Sequence, residues 1–377
     1  MNHTHRFTKQ LIMLVLIIAF AQLGWRATPV PLQAQTISLN LTVNSTTDAP
    51  DASPGNAVCA TSSGFCTLRA AIQEANAMPG EDTITLPSGR YVLSIGGRNE
   101  DAAATGDLDV TDALIINGAG ADKTFLDGNG IDRVLDLTGG FDLTLTGVTV
   151  QHGDPGSAIS LQTDGSPQQI DPASGGGILN MGVLLLTNVA ISENRADLGG
   201  GIYNLGIVRP RNVTISGNST ALSGGGVTNL GIFKAENTTI STNTTAGKGG
   251  GLFVADGSIV VLENTTVHNN SAANGGGIFG DNVQRLEFER TIIAGNGTDN
   301  CLVSGTLLSE GYNLDSDNTC GLTGTGDRVN SDPRLGPLQN NGGSTATHAL
   351  LMNSPAIDTA GTAFCPATDQ RGIPRPQ

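Results

Sequence analysis

Between residues 143 and 296 branched apolar side chains fall on alternate positions, and the alternation itself recurs. Aligning 143–153, 184–194, 208–218, 233–243, 260–270 and 286–296 places Val150, Ile191, Ile215, Ile240, Val267 and Ile293 in the eighth column. The sixth column reads Val148, Val189, Val213, Thr238, Thr265 and Thr291. Positions two apart leave the same face of an extended strand, so these columns predict inward rungs. The eleventh column is Gly153, Asn194, Asn218, Asn243, Asn270 and Asn296, and the fifth holds Asn188, Asn212, Asn237 and Asn264. Asn and Gly accept left-handed backbone geometry at low cost, so each column is expected at a corner. Stacked at the strand repeat, the Asn amides can also bond the coil above and below.

Glycine triplets at 175–177, 199–201, 224–226, 249–251 and 275–277 punctuate these windows at spacings of 24, 25, 25 and 26 residues. A sustained period of that length means stacked units. No segment of helical period separates the strands, and about 25 residues leaves room for roughly three short strands and three turns. The expected fold is all-β, a single-stranded right-handed parallel β-helix (a pectate-lyase-like solenoid) over residues 83–340. A leucine-rich horseshoe would need a regular leucine pattern that is missing here. About 10 coils at ~4.8 Å each give a rod ~50 Å long.

A different pattern appears before the coils. Leu68, Ala71, Ile72 and Ala75 fall on one helical face, Thr67 stands where a cap belongs, and Pro79-Gly80 ends the run. A solenoid exposes the raw end of its first coil, so this helix is expected to cover it, within a cap spanning residues 36–82 that has Leu41 and Val43 in a first strand. Arg69 and Glu74 are expected on its solvated outer side. Further back, Arg6 and Lys9 precede an apolar run at 11–20 and then Ala19-Phe20-Ala21. Residues 1–35 therefore read as a secretory signal cleaved between 21 and 36, which leaves no transmembrane helix in the mature chain and places it outside the cell or on its surface.

Composition fits such a rod: Gly is 52 of 377 residues, aromatic residues are 4% and charged residues 14%. The net charge of −15 argues against nucleic acid and anionic membrane as partners. An oxidising compartment allows two local disulfides, Cys59 with Cys66 and Cys301 with Cys320, leaving Cys365 unpaired.

The chemistry to test is that of acidic polysaccharides. A lyase needs a cation and a base, usually several Asp around calcium plus an Arg or Lys, and a hydrolase needs two carboxylates at fixed separation. The outward columns carry Arg209, Arg211, Lys234, Glu236, Glu263, Glu287 and Glu289, whose signs change between rungs, so Arg211 is expected beside Glu236 as an ordinary cross-strand pair. Asp101, Asp107, Asp109 and Asp112 are the candidate calcium ligands, and no other cofactor is expected. His348 reads as a structural histidine, and Asp369 with Arg371 as a tie on the last coil. No residue is assigned a catalytic role, and with Trp25 the only tryptophan, sugar-stacking platforms are thin. Residues 154–174 form the largest insertion, with 41 residues from Leu143 to Leu184 in place of the usual 25, and would leave the rod sideways where a groove could be walled.

Cys66-Thr67-Leu68-Arg69-Ala70-Ala71 resembles the motif called CSLREA, found near the N-terminus of exported bacterial β-helix proteins, with Thr67 for Ser and Ala70 for Glu. Glu81 through Pro87 and Gly106-Asp107-Leu108-Asp109-Val110 fit that pattern too. The Gly-Gly-Gly-Ile and Ile-Ser-Gly-Asn repeats resemble, more loosely, those of chlamydial polymorphic membrane proteins. Asn341-Gly342-Gly343-Ser344, Ser354 to Asp358 and Asp369 to Gly372 look like the choice-of-anchor Q region, over residues 341–377. This resemblance implies an exported, surface-displayed structural or adhesive protein that meets cell-surface glycans or other surface proteins. The alternative is a polysaccharide-binding module or lyase working beside 154–174. Relatives continue to a further Cys and Asp-Ile-Gly-Ala, which implies a truncation after Gln377 and a lost partner for Cys365.

Overall fold

Three short extended pieces make one coil, for example Ile202–Asn204, Ile207–Arg211 and Thr214–Ser216. In the computed structural model, which describes residues 38–98, 100–137, 139–157, 173–361 and 365–375, each piece pairs in parallel with its counterparts one coil before and after. The eighth column is one unbroken stack, with Val150, Ile191, Ile215, Ile240, Val267 and Ile293 as successive register partners. All six are fully buried, as are Val148, Val189 and Val213 of the sixth column. The face carrying them is a ten-stranded sheet from Gly89–Val92 to Arg328–Val329, in keeping with about ten coils. The other two faces join into one 16-stranded sheet because Ile278–Glu289 runs through their common corner without a break. The chain is a right-handed parallel β-helix.

The corners differ in part from the expectation. Asn188, Asn212, Asn237 and Asn264 of the fifth column do have positive φ, between 48° and 55°. In the eleventh column the left-handed residue is the one before the Asn: His152, Glu193, Gly217, Thr242, Asn269 and Gly295, with φ from 54° to 67°. The Asn itself is needed inside. Asn194, Asn218, Asn243, Asn270 and Asn296 are buried, and each Nδ2 donates to the Oδ1 of the next amide at 2.9–3.0 Å, the last to Asn300. That ladder fixes the amide inward and pushes the turn onto its neighbour.

The glycine triplets stack in the same way. Gly199 takes a φ of +62°, and a Cβ on Gly200 would lie 2.5 Å from the Gly225 carbonyl oxygen. Successive triplets hydrogen-bond directly, Gly200 N–H to the Gly224 carbonyl at 3.1 Å, so no side chain fits between coils there.

Helix α1 (Leu68–Ala77) covers the first coil, and the Thr67 side chain accepts from the Ala70 N–H. Asn40–Thr42 adds a parallel strand to Asp82–Leu86. Contrary to the solvated placement expected for them, Arg69 and Glu74 are 1% and 0% exposed. The Arg69 guanidinium pairs with Asp48 at 2.6 Å and donates to the carbonyls of Ala103, Gly106 and Asp107. Glu74 accepts from the N–H groups of Gly55 and Ala57. Helix α1 is sandwiched between coil and cap loops, so it has no solvated side.

Parallel pairing ends at Val329, short of residue 340. Leu335–Gln339 and Thr347–Leu350 then form an antiparallel hairpin with Asn341-Gly342-Gly343-Ser344 at its tip. The tail lies back against the ten-stranded face: Thr214 Oγ1 donates to the Ala346 carbonyl (2.6 Å), Asn237 Nδ2 to that of Thr368 (3.1 Å), and Thr239 Oγ1 to Gln370 Oε1 (2.8 Å). Asp369 and Arg371 pair with each other at 2.6 Å inside this tail and close its local turn. Residues 1–35, expected from the sequence to be a secretory signal, and most of the 154–174 insertion fall outside the described residues.

Candidate functional site

Two clusters of ionisable side chains sit where the N-terminal coils meet their covering loops. The first is built on neighbouring rungs. Asp109 and Asp136 are register partners in the paired strands Leu108–Val110 and Leu135–Leu137, whose flanking Leu and Val side chains point into the core. Alternation therefore turns both carboxylates outward, where residues 103–107 cover them. Asp107 joins them, and one carboxylate oxygen from each of the three lies within 4.8 Å of the others. All three are buried. Asp109 Oδ2 accepts from the Ala103 N–H at 2.7 Å, whereas Asp109 Oδ1 and Asp136 Oδ1 have no hydrogen-bond partner among the described residues.

Arg133 is the cation beside them. Its Nε is 2.6 Å from Asp107 Oδ2 and 3.6 Å from Asp136 Oδ2, but too poorly aligned to donate a hydrogen bond, so the contact is ionic. Burial is the main influence on this group. It pushes Asp107 up to about 8, Asp109 to about 7 and Asp136 to about 6, with neighbouring carboxylates adding to the rise and Arg133 drawing Asp107 and Asp136 back.

Of the four aspartates singled out in the sequence, the structure therefore brings together two. Asp101 is exposed, and Asp112 is spent on the backbone, accepting from Gly80 N–H (3.0 Å) and Ala113 N–H (2.8 Å). Asp136 takes the third place. It lies a coil further on, and short sequence spacing could not reveal it; the usable signal was the Leu-Asp-Leu at 135–137 echoing Leu108-Asp109-Val110.

The second cluster escaped the sequence reading because its members are spread over more than a hundred residues. Arg90 pairs with Asp127, His152 Nδ1 is 3.1 Å from Asp127 Oδ1, and His152 Nε2 is 3.1 Å from Glu193 Oε2. Burial acts to raise Asp127, but hydrogen bonds from the Asn129 N–H, Gln151, Arg90 and His152 outweigh it and hold the carboxyl below its usual range. Asp127 is buried, His152 is half-buried, and Arg90 and Glu193 are open to solvent, beside the base of the 154–174 insertion. The His152 ring thus lies between two carboxylates, with the Arg90 guanidinium 3.2 Å from the same Nδ1.

Elsewhere two of the expected outward charges find opposite partners: Arg211 lies 3.5 Å from Glu236 and Lys234 3.0 Å from Glu263. His348 Nδ1 donates to the Gly336 carbonyl (2.7 Å), leaving Nε2 to accept from the Ser241 hydroxyl (2.9 Å). Cys59 is bonded to Cys66 and Cys301 to Cys320, and Cys365 is a free thiol. Among the described residues no helix is long and apolar enough to cross a membrane.

No curated protein and no solved structure matches the chain significantly. Residues 133–322, half of the chain, match the family described as right handed beta helix region. That span starts at Arg133 and covers the Asn ladder, all five glycine triplets and the stacked Val/Ile column, so the chain belongs to the right-handed beta helix family.

Proposed function

We propose that this protein is exported and displayed at the cell surface, where it serves as a structural and adhesive rod without catalysis. One observation carries the reading. Met181, Leu205 and Leu230 occupy the same corner of three successive coils and are 46%, 43% and 38% exposed. An isolated exposed leucine needs no explanation, but an apolar ridge repeated along a rod is a contact surface. It borders the face on which Arg211 pairs with Glu236 and Lys234 with Glu263, so binding there leaves those four charges matched. Surface glycans and surface proteins are the partners in this reading. Leu205→Ser with Leu230→Ser should lower retention on whole cells and glycan arrays about tenfold with little change in melting temperature. Undiminished binding by that variant would count against the ridge.

The Arg90–Asp127–His152–Glu193 row favours a second reading, a lyase or binding module for acidic polysaccharides on the lateral face near 154–174. Incubation with polygalacturonate or alginate plus calcium distinguishes the two. A rise in unsaturated-product absorbance that His152→Ala abolishes would establish the lyase; its absence supports the rod.

A further inference from the structure

We propose that Asp107, Asp109 and Asp136 form a calcium site that locks the N-terminal cap onto the first coils. The argument starts from unmet valence. Three carboxylates face one arginine, and two of their oxygens, Asp109 Oδ1 and Asp136 Oδ1, are buried without a partner among the described residues. A buried carboxylate oxygen with no donor is costly to keep, and a cation removes that cost directly. The donor set is oxygen only, with no imidazole or thiolate in the cluster, which selects a hard cation. Oxygens about 4.8 Å apart or closer suit metal–oxygen distances of about 2.3–2.6 Å, with waters completing the shell.

The location gives the site a purpose. Asp109 and Asp136 belong to consecutive coils, and Asp107 leads into the first of them. The carbonyls of Ala103, Gly106 and Asp107 receive the Arg69 guanidinium from helix α1, and the Asp109 carbonyl receives the Asn76 amide. An ion held by the three carboxylates would therefore fasten two coils and the loop on which the capping helix rests. This inference stands apart from the adhesive reading, since a cap must hold whatever the rod contacts.

The test uses the full-length protein as purified, stripped with EDTA and titrated with CaCl2. The melting temperature should rise by about 4 °C at a hundredfold excess over Kd, with one calcium bound per chain by calorimetry. Asp109→Asn and Asp136→Asn should lose the response, Asp136→Glu should weaken it, and Asp101→Asn and Asp112→Asn should keep it. If wild-type protein neither shifts nor takes up calcium, the oxygens hold protons and the proposal fails. It fails equally if Asp112→Asn abolishes binding while Asp136→Asn does not.

Discussion

Asn243 shows how much one amide does in this rod. Its Oδ1 accepts from the N–H and Nδ2 of Asn218, and its Nδ2 donates to the Ile215 carbonyl and to Asn270 Oδ1. Alanine there leaves those buried partners unmet, each at about 1–3 kcal/mol, partly relieved by relaxation. We expect Asn243→Ala to cost roughly 3 kcal/mol in denaturant unfolding. Thr242→Gly next to it should stay within about 1 kcal/mol, because a threonine at a φ of 57° is already strained and glycine's added unfolded-state entropy offsets the relief. Equal costs at the two positions would mean the ladder adds nothing. The Asn column was readable in the sequence as a column. Which residue of the corner turns left was not, because Thr242 and Glu193 are poor advertisements for a left-handed backbone and only the burial of the neighbouring amide forces them into it.

Among the elements, the returning tail depends most on conditions. The Thr347–Leu350 strand is tied to the rod through His348, which lies edge-on to His268 with ring centroids 4.7 Å apart. Burial foremost, and then His268, hold His348 below the usual 6.5 against the opposing pull of the Gly336 carbonyl. A lowered histidine excludes a proton the unfolded chain would bind, so its contribution is intact above pH 6.5 and is lost as pH falls through the depressed value. Protection against hydrogen exchange over residues 335–350, taken relative to the intrinsic exchange rate at each pH, should fall between pH 7.5 and pH 5, and His348→Gln should flatten that dependence. Protection factors that stay constant across that pH range in the wild type would contradict it. The tail's family-like motifs were legible in the sequence, but its path was not. The contacts span more than 100 residues, and the Thr and Ser side chains that receive it, Thr214, Thr239 and Ser241, look like ordinary outward strand positions.

From residue 38 onward the described fold is a stack of interchangeable coils held between two non-repeating ends, and this division separates what the sequence makes legible from what it does not. Repetition made the coils legible: the 25-residue period, alternate apolar positions, Asn columns and glycine triplets each state the same local rule many times, and stacking satisfies all of them at once. The ends obey no repeated rule. Arg69 looked like a solvated charge on an amphipathic helix and is a buried clasp. Asp136 looked like one residue in a coil and completes an acidic cluster begun 29 positions earlier at Asp107. The linear chain dictated the shape because stacking energy is local and periodic. Folding alone assigned the charged groups their partners, because burial and Coulomb interactions depend on distances in space that sequence separation does not encode.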